Sequence, residues 1–105
     1  MNKLKIGISG VAGRMGALIA QEVLRDATLE LAVAIEVKGH KSLGKKVGDV
    51  IGLKDRGPVI TDSPETISLC RVFIDFTVPQ ATQAHLLVCQ DKGVGMVIGT
   101  TALDE

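Results

Sequence analysis

The sequence predicts a doubly wound α/β fold, in which helices cover both faces of a parallel sheet. Short aliphatic runs typical of strands alternate along the chain with stretches of helical periodicity. Strands that alternate with helices pair in parallel through right-handed crossovers. Hydrophobic residues make up 46% and charged residues 23% of the 105 residues, a balance that indicates one globular domain rather than a disordered chain or a coiled coil.

The first part of the chain predicts two strands around an amphipathic helix. Leu4, Ile6 and Ile8 alternate with lysine and glycine, as in a strand. After a glycine cluster, a helix is expected to end near Asp26, and its apolar positions recur at helical spacing: Met15, Leu18, Ile19, Val23 and Leu24. Residues 29–37 are almost continuously apolar, which is typical of a parallel strand covered on both faces.

The rest of the chain begins with a glycine-rich, basic segment, residues 38–57, which we interpret as a functional or mobile loop. Ser63 is a candidate helix cap before Pro64, and another helix is expected from Pro79 to near Gly93. The predicted apolar stripe of that helix consists of Ala81, Ala84, Leu87 and Val88. Three further strands are expected, at residues 59–60, 72–76 and 94–98. Because a doubly wound sheet normally continues after such a strand, we expect a domain truncated after the fifth strand.

Composition argues against nucleic-acid and membrane partners. The formal net charge is zero and Phe73 and Phe76 are the only aromatic residues, so neither a basic surface nor a base-stacking platform is expected. No apolar run reaches the ~18 residues that cross a bilayer, and the amino terminus lacks the pattern of a signal peptide. Cys70 and Cys89 lie in apolar stretches without metal-ligand spacing, which indicates reduced, buried thiols in a cytoplasmic protein.

The sharpest motif is a turn of the pattern G-x-x-G-x-x-G between the first strand and the first helix. Gly10 permits a tight exit from the strand, Gly13 lets a pyrophosphate approach the backbone, and Gly16 lets the helix pack against the sheet. The positive end of the helix then faces the phosphates. The motif predicts a Rossmann-like dinucleotide site at the whole turn: Gly10, Val11, Ala12, Gly13, Arg14, Met15 and Gly16. Arg14 is also compatible with a surface position, and Met15 with a core position.

An acidic residue stands at the place where dinucleotide folds bind the adenosine ribose. Glu36 ends the second strand, about twenty residues after Gly16. Its carboxylate repels a 2′-phosphate, which favours NADH over NADPH as the cofactor. Lys38 and the basic residues beyond it offset part of that repulsion, so use of both cofactors stays open.

A second candidate cluster follows the last two strands, at the edge where open α/β sheets bind ligands. It consists of Phe76, Thr77, Gly99, Thr100 and Thr101. We expect Thr77 near the ribose or the nicotinamide, and Gly99 where the cofactor approaches the backbone closely. The threonines are equally compatible with simple strand ends. Asp75, inside an apolar strand, is expected to bind loop backbone rather than to act as an acid or base.

No catalytic residue and no metal ligand are predicted from the residues themselves. His40 lies in the basic loop and His85 on the last helix, and we interpret both as solvated surface residues. The chain has no GxSxG turn, no phosphate-loop lysine motif and no quartet of metal ligands.

Four segments together resemble the dihydrodipicolinate (4-hydroxy-tetrahydrodipicolinate) reductases: GVAGRMG at 10–16, AIE at 34–36, VFIDFTVP at 72–79 and GMVIGTT at 95–101. The resemblance covers essentially the whole chain and the first part of the family's usual length. It implies an NAD(P)H-dependent reductase that transfers hydride to a cyclic dicarboxylate in diaminopimelate and lysine biosynthesis. In such a protein residues 1–105 are an NAD(P)-binding domain, with Glu36 at the ribose and residues 99–101 along the nicotinamide half.

The resemblance also implies a substrate domain and an oligomeric full-length protein. Members are commonly tetramers assembled through a substrate domain, so a homo-oligomer is expected of the full-length protein. The family's H-H-x-x-K-x-D-x-P-S-G-T segment is absent from the 105 residues, so the chain alone is expected to be inactive. Val37 stands where some members have an arginine for the 2′-phosphate, which again favours NADH. Two alternatives stay open: a module that senses NAD, and a subunit that binds CoA or another nucleotide.

Overall fold

A five-stranded sheet, parallel throughout, runs through residues 2–99, the part of the chain that the computed structural model describes. Its strands are β1 (Leu4–Ser9), β2 (Leu29–Ile35), β3 (Ile60–Thr61), β4 (Val72–Asp75) and β5 (Gly95–Ile98). Their order across the sheet is β3-β2-β1-β4-β5, and each neighbouring pair is parallel. The order reverses between β1 and β4, which is where a crevice opens at the carboxyl edge of such a sheet. The predicted doubly wound fold is confirmed.

Helices cover both faces and divide the core in two. They are α1 (Arg14–Arg25), α2 (Val47–Ile51), a 3₁₀ helix (Pro64–Leu69) and α3 (Pro79–Lys92). With α1 and α2, the sheet closes a first core of aliphatic side chains around Ile8. With the 3₁₀ helix and α3, it closes a second core that contains Phe73, Cys70 and Cys89. Both thiols are buried and free, as expected. None of the helices within residues 2–99 has the length and apolar character needed to span a membrane.

A glycine inside β1 gives the second core its space. A Cβ on Gly7 would lie 2.8 Å from Cys70 Sγ, 2.9 Å from Phe73 Cδ1 and 3.1 Å from Val33 Cβ. Phe73 is completely buried in this position. The missing side chain of Gly7 therefore provides the volume that the Phe73 ring and the Cys70 sulfur occupy.

The buried face of α1 differs from the predicted apolar stripe. Met15 and Leu18 are exposed, at 48% and 53%, whereas Val23 is buried as predicted. The face against the sheet is made of the small residues Gly16 and Ala20 together with Val23. The physical reason is the close approach of the helix, because a Cβ on Gly16 would clash with the carbonyl oxygen of Gly10. Bulky side chains at the start of α1 have no room beneath it.

The predicted apolar stripe of α3 is wrong for Ala84 and Leu87, whereas Val88 packs against the second core and Ala81 is half-buried. Leu87 is 68% exposed and Ala84 is also exposed, while the buried residues are Thr82, His85 and Cys89. Two of these are polar, and they are accommodated because partners for them lie under the helix. The predicted end of the helix is confirmed, since Gly93 closes it in the left-handed conformation with φ of +71°.

The segment 38–57 is only partly a loop. It contains α2, whose Val47 and Ile51 are buried in the first core. Five residues are too few to produce a visible helical period, so sequence patterning missed this element. β3 begins one residue later than expected, because Val59 instead forms an antiparallel bridge with Lys46.

The start of the 3₁₀ helix also differs in detail from expectation. Pro64 occupies its first turn as predicted, but the side chain of Ser63 makes no capping hydrogen bond to the helix. Its hydroxyl is hydrogen-bonded to the carboxylate of Glu65.

We predict that Gly7→Ala destabilises the protein by about 1–3 kcal/mol, because the added methyl group overpacks the second core. Urea unfolding of the two proteins measures the difference. Gly95→Ala in β5 is the matched control, since its Cβ would meet only Arg71 O at an ordinary 3.6 Å. Equal free energies of unfolding for Gly7→Ala and the unaltered protein would contradict the packing described here.

Candidate functional site

The glycine turn joins the end of β1 to the start of α1. Gly10 has φ of +79°, and its carbonyl oxygen accepts a hydrogen bond from Gly13 N at 3.0 Å. Val11 is completely buried beneath the turn. Gly13 precedes α1 with extended backbone and no side-chain cap. The first-turn amides of α1 have no acceptor within the helix, so this end of the helix suits an anion.

A crevice of ≈ 510 Å³ opens in front of this turn. Its lining residues come from both sides of the point where the strand order reverses: Gly10, Gly13, Arg14, Met15, Gly16, Phe76 and Gly99. A Cβ on Gly13 would meet only Gly10 O, at 3.3 Å, so this side of the turn is open. A Cβ on Gly99 would instead lie 2.5 Å from the Phe76 ring. Phe76 therefore forms the tightly packed wall, and Gly13 the open one.

Glu36 lies immediately after β2 with 7% of its surface exposed. Its Oε2 accepts a hydrogen bond from Ala12 N at 2.8 Å, and its Oε1 accepts one from Val37 N at 3.3 Å. His40 Nε2 lies 3.9 Å from Oε1. The carboxylate thus faces the glycine turn and binds one of its amides directly.

A smaller cavity of ≈ 270 Å³ lies on the other side of Glu36. Its walls are largely apolar and come from β2, the 3₁₀ helix and α3, with Ile35, Val37, Pro64, Ala81 and Val88 among them. Glu36 and His85 line it as well. Glu36 therefore stands between an apolar cavity and the glycine turn.

A buried polar network lies at the end of β4. Asp75 is completely buried, and its Oδ1 accepts hydrogen bonds from the backbone N–H of Thr77, at 2.8 Å, and from the Thr77 hydroxyl. Its Oδ2 lies 2.9 Å from His85 Nδ1. The hydroxyl oxygens of Thr77 and Thr82 are 3.5 Å apart. The expected role of Asp75, binding loop backbone, is confirmed.

The surface positions predicted for the two histidines are wrong. His85 is only 9% exposed and is paired with Asp75. His40 is half-buried, and its Nδ1 accepts a hydrogen bond from Ser42 N at 3.0 Å. Sequence reasoning missed His85 because it scored α3 by its apolar residues. The available signal was an aspartate inside an apolar strand, which requires a buried partner from another element.

The network sets the charge state of Asp75. Burial by itself raises the pKa of this carboxyl, but hydrogen bonds from His85 and Thr77 to the ionised form outweigh the burial and bring the pKa below its ordinary value. Asp75 is therefore the charged acceptor of the network.

Most residues predicted for the cofactor lie around the crevice, but in different roles. Ala12 contributes its amide and Val11 lies underneath, so neither lines the opening. The hydroxyl of Thr77 binds Asp75 and is buried. Thr100 and Thr101 lie outside the described residues. Within residues 2–99 no group of three or more metal-binding side chains comes together.

The strand order, the glycine turn and the crevice at the reversal point define a Rossmann-like α/β domain. Residues 4–105 match the family described as "Dihydrodipicolinate reductase, N-terminus". The chain belongs to this family, which confirms the resemblance.

Similar proteins of known name agree with this assignment. The chain is 40% identical over 104 residues to the 4-hydroxy-tetrahydrodipicolinate reductase of Dechloromonas aromatica, a match that covers 99% of this chain and 39% of that protein. It is 43% identical over 99 residues to the enzyme of the same name from Ralstonia nicotianae, covering 93% of this chain and 37% of that one. The chain thus spans about two fifths of the length of the curated relatives it matches.

Two solved structures show the same fold at lower identity. Aspartate semialdehyde dehydrogenase with NADP from Candida albicans has a TM-score of 0.70 at 17% identity, over 95% of this chain and 30% of that chain. Dipicolinate-bound dihydrodipicolinate reductase from Paenisporosarcina sp. TG-14 has a TM-score of 0.66 at 23% identity, over 94% of this chain and 38% of that chain.

We predict that acid weakens the fold through Asp75. Its pKa is lowered in the folded state, so its contribution is present above the ordinary value of 3.8 and is lost as pH falls through the lower folded value. Asp75→Asn should cost about 1–3 kcal/mol at neutral pH and remove part of the acid dependence.

Urea unfolding between pH 7 and pH 3 measures this effect. Asp91→Asn is the control, because Asp91 is an exposed carboxylate on α3 that lies outside the network. An unchanged pH slope in Asp75→Asn would show that the network does not hold the ionised form.

Proposed function

We propose that the chain binds a nicotinamide dinucleotide, NAD(P)H, across the carboxyl edge of its sheet. The observation that carries the proposal is the glycine turn, which faces a ≈ 510 Å³ crevice while Glu36 binds the amide of Ala12 in the same turn. The open side of Gly13 leaves room for a phosphate to approach the backbone. The residues present therefore fit a diphosphate.

The proposed pyrophosphate position lies at the start of α1. Unpaired amides and the positive helix end attract phosphate oxygens there. Arg14 lines the crevice at the same place and adds a full positive charge. Together these donors match the two negative charges of a diphosphate without any metal ion.

The proposed ribose position lies at Glu36. Its carboxylate already reaches the glycine turn, so a ribose bound beside the pyrophosphate comes within hydrogen-bond distance of it. The apolar ≈ 270 Å³ cavity beyond Glu36 suits the adenine ring. A negative charge at the ribose repels a 2′-phosphate, and Val37 offers no compensating charge. Lys38 lines the same cavity and offsets part of the repulsion, so NADH is the favoured form and NADPH is tolerated.

The proposed nicotinamide half extends towards Phe76, Thr77, Gly99, Thr100 and Thr101. Phe76 and Gly99 line the far side of the crevice and supply a flat wall for a ring. The cofactor supplies the hydride chemistry, and the protein orients it and excludes competing reactions. Among residues 2–99, Phe76 and Gly99 are the lining residues at this end, and neither is an acid or a base. We propose no catalytic residue in the chain.

For the full-length protein we propose the activity named in its relatives, 4-hydroxy-tetrahydrodipicolinate reductase. In that reaction hydride passes to a cyclic unsaturated dicarboxylate in diaminopimelate and lysine biosynthesis. The matched part is about two fifths of those relatives. We therefore propose that residues 1–105 act as the dinucleotide-binding domain, that the chain alone does not turn over substrate, and that the full-length protein works as a cytoplasmic homo-oligomer.

We predict that Gly13→Val weakens NADH binding by at least about tenfold, about 1.4 kcal/mol, because its side chain fills the open side of the turn. Fluorescence titration with NADH measures the dissociation constant, and CoA as competitor tests the alternative ligand. Gly95→Ala is the folding control. Unchanged NADH affinity in Gly13→Val, or tighter binding of CoA than of NADH, would contradict the proposed site.

We predict that Glu36→Gln shifts the cofactor preference towards NADPH by about tenfold. Glutamine keeps an acceptor for the amide of Ala12, whereas the charge that repels a 2′-phosphate is lost. Parallel titrations with NADH and NADPH give the ratio of dissociation constants. Glu30→Gln, an exposed position on β2, is the matched control, and an unchanged ratio in Glu36→Gln would remove Glu36 from the ribose.

A further inference from the structure

We propose that His85 is a positioning residue for the cofactor crevice, acting through Asp75 on the turn at residues 76–78. The inference rests on the proposed function, because the crevice it serves is the proposed NAD(P)H site. His85 lines the ≈ 270 Å³ cavity proposed for the adenine ring, but it does not line the crevice in front of the glycine turn. Its effect on the Phe76 and Gly99 wall of that crevice therefore has to pass through another residue.

His85 is held in one orientation. Its Nδ1 lies 2.9 Å from Asp75 Oδ2, and its ring packs against Phe73 with the centroids 5.4 Å apart and the planes at 76°. An ionised Asp75 accepts hydrogen bonds only, so Nδ1 carries the proton and donates it to Oδ2. Each side of this contact is buried, which makes it stronger than the same pair in water.

Asp75, held by His85, forms hydrogen bonds that position the turn after β4. Its second carboxylate oxygen, Oδ1, accepts the hydrogen bond from Thr77 N, and its backbone carbonyl accepts one from Gly99 N at 2.8 Å. Phe76, between Asp75 and Thr77, donates its N–H to Ser9 O at 2.9 Å. The position of Asp75 therefore determines where Phe76 and Gly99 stand.

The crevice tolerates little movement of that turn. A Cβ on Gly10 would lie 3.0 Å from Phe76 O, and one on Gly99 would lie 2.5 Å from the Phe76 ring. The backbones on both sides of the reversal point are thus in contact through Phe76. A shift of a few tenths of an ångström at Phe76 either narrows the crevice or separates its two walls.

A wholly apolar cluster would serve the stability of this core at least as well as this polar one. The side chains of Ser9, Asp75, Thr82 and His85 are all buried in the same region, and Ser9 Oγ has no hydrogen-bond partner within residues 2–99. Buried polar groups cost free energy even when most are paired. The buried polar cluster has a function if it positions the turn at residues 76–78 beside the crevice.

The experiment compares three variants of the full chain by NADH titration and calorimetry. His85→Leu fills the space without a donor and should bind NADH about tenfold more weakly, whereas its affinity for AMP, which lacks the nicotinamide half, should stay within about twofold. His85→Asn offers an amide N–H in place of Nδ1–H and should restore NADH affinity to within about threefold. Ile67→Ala, in the same second core, lowers the thermal stability without removing a hydrogen bond of the network and should leave NADH affinity within about twofold.

Three results would overturn the inference: wild-type NADH affinity in His85→Leu, an equal loss of AMP and NADH affinity in that variant, or an equal loss of NADH affinity in Ile67→Ala at the same loss of thermal stability. If His85→Leu does not fold, His85→Gln replaces it, since its longer side chain misplaces the amide. If the unaltered protein binds neither NADH nor NADPH, the proposed function fails and this inference fails with it. Binding by the unaltered protein together with unchanged binding by the variants overturns the inference alone.

Discussion

Two buried carboxylates, Glu36 and Asp75, bind the turns at the carboxyl edge of this sheet. β1 lies between β2 and β4, so Glu36, which follows β2, and Asp75, which ends β4, flank the same glycine turn. Each binds a backbone amide of the turn next to it: Glu36 the amide of Ala12, and Asp75 the amide of Thr77. The turns are thereby shaped by charge-assisted hydrogen bonds, which are stronger and more directional than packing contacts. The crevice between them follows from this arrangement.

Much of the architecture could be predicted from the sequence. Alternation of aliphatic runs with helical segments predicted the sheet, and the glycine turn predicted where its ligand edge lies. The buried faces of α1 and α3 could not be predicted. α1 turns Gly16 and Ala20 inward because it approaches the sheet closely, and α3 turns His85 inward because Asp75 lies below it. Periodicity ranks residues by hydrophobicity, and it contains no information about distance or about partners on another strand.

The candidate site was predictable in location and less so in detail. The spacing from Gly16 predicted Glu36 near the glycine turn, beside the proposed ribose position, but its hydrogen bond to Ala12 depends on the dihedral angles of the turn. Thr77 was expected to face the crevice, yet its hydroxyl belongs to the buried network. Both differences have the same origin, since backbone amides compete with ligands for polar side chains. The glycines, which have no side chains to redirect, are where the sequence prediction and the structure agree best.

The strand order carries a kinetic consequence. No two neighbouring strands among residues 2–99 are joined by a hairpin, and β1 meets β4 only after more than half of the sequence lies between them. Each pairing requires a long loop to close before its hydrogen bonds form. The chain therefore loses conformational entropy before these bonds offset the loss. Folding should therefore be slow for a chain of this size. We expect the docking of the β4 segment onto the β1–β2 pair to limit the folding rate.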